Sequence, residues 1–302
     1  MLSLSAVLFA SVTAAAQPVH AALPRPQVVD RSTSVTVRMG DFGGRPVIHL
    51  MIAGRGPYAA IVDTGASGTV IDEGLAKELR LPKSGLMDVP DPDGTTHELV
   101  EVKGLEIGSA KIRGLLAATA PLAQFMKQPD APKIVLSAEA FPGRLLSFDF
   151  AAHTLSLHKG SLGNADEREI FAYTEEEMIP WVSIKVGNVA RRVHLDTGSP
   201  KGLTLPTEYM TQVPLASEAK LAGIARTPGG EYKMYKANLT VPIEVGAFKL
   251  NLPEIQFSDV RPGGDVSTSA PPGNLGSAAL GAFVVTVDAA ARRVQIKSKG
   301  GN

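Results

Sequence analysis

The chain has 302 residues, long enough for one large or two ordinary domains with real hydrophobic cores. Its 30 basic and 30 acidic side chains cancel, and no long block of one sign gives the footprint expected for nucleic acid or an anionic membrane. The absence of cysteine excludes disulfides, thiol nucleophiles, cysteine-zinc sites and lipidation of an N-terminal cysteine, so any chemistry rests on oxygen and nitrogen groups.

Residues 1–22 hold an uncharged apolar stretch followed by small-residue sites, the pattern of an export signal. The stretch is too short for a membrane span, so a mature chain without a stable span, exported to a periplasm or secreted, is expected. Residues 23–33, with Pro24 and Pro26, read as a linker. "RPVIHLMIAG" (45–54) alternates as a half-buried strand does, and "AGRGPYAA" (53–60) reads as a hairpin turn. Next comes "AAIVDTGASGTVID" (59–72), in which Asp63 stands between an apolar run and a glycine turn. Asp72 is placed to cap a helix over "EGLAKELRL". Two hairpin patterns follow in 89–112, the first with its tip at Asp93-Gly94, and "LLSFDFAAHTLSL" (145–157) reads as strand, turn and strand.

The second half repeats this plan. "RRVHLDTGSPKGLTLP" (191–206) places Asp196-Thr197-Gly198 133 residues after Asp63-Thr64-Gly65 (196 − 63 = 133). Upstream, Pro46, Ile48, Leu50 and Ile52 align with Pro180, Val182, Ile184 and Val186. Downstream, "ARTPGGEYKMYKANLTVPIEVGAFKL" (225–250) corresponds to 89–112, and "VVTVDAAARRVQI" (284–296) aligns Asp288 with Asp149. Pro206 is expected to open a short helix over "TEYMTQV". The fold class is therefore all-β, with two similar lobes over 34–160 and 167–299 joined by the polar segment 160–167.

The chemistry follows from the pairing. Two carboxylates brought together in a dry site are costly unless they share one proton. A pair with one ionised and one protonated member can take a proton from water and give one to the carbonyl that the water attacks. Gly65 and Gly198 let each loop turn tightly, while the Thr64 and Thr197 hydroxyls can lock the loops together. Ser199 carries a hydroxyl able to donate to Asp196, which Ala66 cannot do for Asp63. His194, two residues before Asp196, shares its strand face and reads as a satisfied histidine in the lobe floor. The other histidines, His49, His97, His153 and His158, have no metal-ligand spacing, so no metal and no cofactor is expected.

On the motifs "VDTGAS" and "LDTGSP", each with its trailing strand-turn-strand unit, the sequence resembles the aspartic peptidases of the pepsin and retropepsin kind, as a single chain of bacterial type. That resemblance implies two β-barrel-like lobes with a cleft between them, Asp63 and Asp196 as the catalytic pair, and a flap hairpin around Asp93-Gly94. It also implies an endopeptidase that hydrolyses a peptide or protein substrate as a monomer. The glycine that the family places after an apolar pair is Gly276 in "NLGSAAL", whereas "KIVLSAEAF" carries Ser137 there. An inactive peptide-binding protein of the same fold is the alternative. A glycosidase needs more widely spaced acids and aromatic platforms, for which one Trp and five Tyr are poor equipment.

Overall fold

A computed structural model describes residues 26–29, 33–88, 96–174, 179–227, 230–259 and 273–298. The leader expected at 1–22 and the flap tip with Asp93 and Gly94 lie outside the described residues. Strands form where alternation lets one face be buried. Along Trp181–Val186 the side chains of Val182, Ile184 and Val186 are buried while Lys185 is exposed. Pro46–Ile52 turns back through Ala53 and Gly54, at φ 49 and 73, to pair antiparallel with Arg55–Asp63. This is the hairpin expected of "AGRGPYAA".

Two sheets follow one order. In the first, Ala110–Arg113, Leu105–Ile107, Pro46–Ile52, Arg55–Asp63, Ile134–Ser137, Val70–Asp72, Leu115–Ala120, Thr96–Val102 and Lys83–Asp88 lie side by side. The same positions in the second are held by Phe248–Leu250, Ile243–Val245, Trp181–Val186, Val189–Asp196, Asn274–Gly276, Leu203–Pro206, Glu254–Ser258, Gly230–Asn238 and Lys220–Thr227. The first sheet curls into a half-barrel, and the architecture is all-β with barrel-like lobes. Each strand that ends on Asp63 or Asp196 has a parallel neighbour, Ile134–Ser137 and Asn274–Gly276. Parallel pairing needs a long crossover, and this is what brings residues distant in sequence beside each aspartate.

A third sheet joins the halves. The strand-turn-strand units do not stay separate: Leu145–Asp149 pairs antiparallel with Phe283–Asp288, inside a six-stranded sheet that also holds Thr154–His158, Arg293–Ser298, Ser34–Arg38 and Ile170–Ala172. Ser147 and Thr286 hydroxyls hydrogen-bond across that seam at 2.8 Å. The aligned aspartates make the same turn, Asp149 Oδ1 accepting from Ala152 N at 2.8 Å and Asp288 Oδ1 from Ala291 N at 3.0 Å. One apolar core continues through both halves, from Ile48, Leu136 and Phe148 to Val182, Phe257 and Val285.

Three local expectations meet different outcomes. Asp72 caps Glu73–Leu79, its Oδ1 accepting from Gly74 N at 3.0 Å and Leu75 N at 3.2 Å. Pro206, in contrast, leads only into the single 3-10 turn Thr207–Tyr209, because the chain leaves it to rejoin the sheet. Within the stretch read as a linker, Gln27–Val29 pairs with Ala110–Arg113 and extends the first sheet. The polar connector is anchored as well, since Ser161 Oγ and Leu162 N both donate to Asp288 Oδ2, at 2.7 and 2.9 Å. Among the described residues no helix is long and apolar enough to cross a membrane.

Candidate active site

The two aspartates end equivalent strands, and their loops meet. Thr64 N donates to Thr197 Oγ1 and Thr197 N donates to Thr64 Oγ1, both at 3.0 Å. Each hydroxyl then donates onward to the opposite strand, Thr64 Oγ1 to Leu195 O at 2.6 Å and Thr197 Oγ1 to Val62 O at 2.7 Å. Both threonines are fully buried, so four backbone groups that a tight turn would leave unsatisfied are paired. The lattice fixes how the two loops approach.

That approach leaves no room for a side chain at either glycine. A Cβ on Gly65 would lie 2.5 Å from the Asp196 carboxyl carbon, and one on Gly198 would overlap the Asp63 carboxylate. Gly65 N donates to Asp63 Oδ1 at 2.8 Å, and Ser199 N donates to Asp196 Oδ1 at 2.9 Å. Asp63 and Asp196 retain 8% and 9% exposure, and their carboxyls lie within hydrogen-bonding reach of each other. Burial, the neighbouring Asp196 and the hydrogen bond to it push the Asp63 carboxyl well above the usual carboxylate range, against the opposing pull of Gly65 N–H and Arg45. Such a pair holds one proton between two oxygens at mildly acidic pH.

Arg45 was not legible as part of the site. Its guanidinium is attracted by Asp63, Asp196 and Asp41, while burial pulls its own acidity the other way and prevails. At 6% exposure it makes no hydrogen bond or ion pair through its side chain among the described residues. Its loop reaches the second half directly, where a Cβ on Gly44 would press on Pro200 at 2.8 Å.

The residues beside the motifs differ between halves. The Ser199 hydroxyl is not the group that serves Asp196; its backbone N–H does, and the side-chain donor is Asn274, whose Nδ2 lies 2.7 Å from Asp196 Oδ2. Sequence reasoning missed Asn274, whose one signal is a polar residue in a short apolar strand that is fully buried. Ser137, which stands where the second half has Gly276, is accommodated by Thr69: Ser137 N donates to Thr69 Oγ1 at 3.4 Å and the two hydroxyls approach at 3.5 Å. A Cβ on Gly276 would instead meet Lys201 O at 2.5 Å. His194 packs edge-on against Trp181, with ring centroids 4.2 Å apart, and burial pushes its imidazole down to about 3, so it stays neutral. No group of three or more metal-binding side chains occurs among the described residues.

Residues 48–139 match the family described as aspartyl protease. The match includes Asp63, Thr64, Gly65 and Ser137, ends before Asp196, and supports a peptidase hydrolase in general. A search of curated proteins found no match to the chain.

Proposed function

We propose that the chain is an exported, monomeric aspartic endopeptidase in which Asp63 and Asp196 activate one water between two lobes, 34–160 and 167–299. The observation that carries this reading is the reciprocal threonine lattice, which holds two mutually hydrogen-bonded, nearly buried carboxyls on equivalent strand ends 133 residues apart. Two acids so close cannot both ionise, and a shared proton is what attack on an amide by water requires. Geometry disfavours a glycosidase, whose two acids stand about 5 Å or more apart. The apolar leader supports export, and a hairpin around Asp93-Gly94 is assigned the role of a flap over an extended peptide. The test is incubation of the mature chain with a mixed peptide pool at mildly acidic pH, followed by mass spectrometry. New internal termini are expected from the wild type and none from Asp196→Asn. A pool left intact by both proteins would favour the inactive peptide-binding alternative.

A further inference from the structure

Across the duplication, the walls beside the two aspartates differ in chemistry. Val47 pairs with Ile61 in the first half as Trp181 pairs with His194 in the second. Ser137 and Gly276 stand beside the aspartates, so Val135 and Asn274, each two residues earlier, are counterparts. Asp63 therefore adjoins Val47, Ile61, Ala66 and Val135, which belong to one buried apolar cluster. At the matching places around Asp196 stand Trp181, His194, Ser199 and Asn274. An apolar wall disfavours an ionised carboxylate and a donor favours it, and of the four side chains beside Asp196 it is Asn274 that donates to the carboxylate.

Asn274 is the side chain that decides. It retains 9% exposure, gives Nδ2 to Asp196 Oδ2 at 2.7 Å, and leaves its own Oδ1 buried without a partner among the described residues. An orphaned buried acceptor is costly, and a charge-assisted bond on the other side of the amide offsets that cost better than a neutral one. The reversed amide would set two acceptors face to face unless Asp196 carried the proton. Of the other charged groups near the pair, Arg45, with Asp41 beside it, draws on Asp63 more than on Asp196, so its pull runs against the asymmetry and the placement of the proton rests on the Asn274 contact. His194 is neutral.

We propose that Asn274 is a positioning residue that holds Asp196 as the ionised member of the pair and leaves the shared proton on Asp63. Only the direction of the chemical step rests on the peptidase reading. Asp196 takes a proton from the attacking water as the water oxygen bonds to the carbonyl carbon, and Asp63 gives its proton to the carbonyl oxygen as the π bond opens. When the diol collapses, Asp196 returns the proton to the leaving nitrogen as the C–N bond breaks. Asp63 recovers one from a diol hydroxyl as the carbonyl re-forms, and the resting state is restored.

Carbon NMR of the aspartate carboxyls, assigned with Asp63→Asn and Asp196→Asn, reads both sites without any need for turnover. In the wild type, the Asp63 carboxyl is expected to carry the shared proton wherever the pair holds one. Asn274→Val, which copies Val135, should move part of that proton from Asp63 to Asp196, and should shift the acid limb of kcat/KM toward alkali by about one pH unit, the effect of one hydrogen bond to a charged group. KM should change little. Should Asn274→Val fail to fold, the wild-type placement of the proton decides alone. A shared proton found on Asp196 in the wild type, or a proton distribution unchanged in Asn274→Val, would overturn the assignment. A chain that cleaves no peptide but shows the expected titrations refutes the peptidase reading and upholds the placement of the proton.

Discussion

At the scale of single residues, charge placed in a dry site determines how the protein responds to pH. Asp63 holds its proton more tightly when folded than when unfolded, because burial and Asp196 oppose its ionisation. Stability from this group is therefore complete below the unfolded value of about 3.9 and is lost as pH rises through the raised folded value. Asp63→Asn removes that loss. Near pH 7 it should melt higher than the wild type, with no gain near pH 3. Calorimetry at both pH values checks this, and an equal shift at both would contradict it. Arg45 acts in the opposite sense, since its positive charge favours the ionised forms of both aspartates. Arg45→Met should move both limbs of the pH–rate profile toward alkali, and a profile moved toward acid would exclude Arg45 from the electrostatics of the pair.

At the scale of elements, two loops are held by four hydrogen bonds between threonines and the opposite backbone. Thr197→Val keeps the shape and deletes both the acceptor for Thr64 N and the donor to Val62 O. Leaving those buried groups unpaired should cost about 1–3 kcal/mol each, read as a lower denaturant midpoint at unchanged slope. The alternating strands, the Asp72 cap and both Asp-Thr-Gly turns were legible because their signals are local: a period of two, a side chain beside its own helix, a glycine where no Cβ fits. The six-stranded joining sheet was not. Each hairpin showed its own strands, but the pairing of Leu145–Asp149 with Phe283–Asp288 is fixed by contact between halves more than a hundred residues apart, and no residue in either hairpin announces it. Asn274 and Arg45 were hidden for a similar reason. Their place in the site depends on a parallel strand crossing back beside Asp196 and on a loop reaching across to Pro200.

At the scale of the whole molecule, the site exists only where the halves meet, because every hydrogen bond of the threonine lattice crosses between them. Residues 34–160 expressed alone would lack both Thr197 and the partner strand Phe283–Asp288, and should show no cleavage, whereas mixing with residues 165–299 should restore some. Full activity from the first fragment alone, without self-association, would contradict a site shared by two lobes. The central claim, that Asp63 and Asp196 work as one unit, is tested most directly by kcat/KM for peptide cleavage in Asp63→Asn, Asp196→Asn and the double variant. Each single change is expected to remove at least about a thousandfold of the rate, and the double change to cost little more, because members of one catalytic unit are strongly non-additive. Retention of most turnover by either single variant, or losses that simply multiply in the double variant, would contradict it.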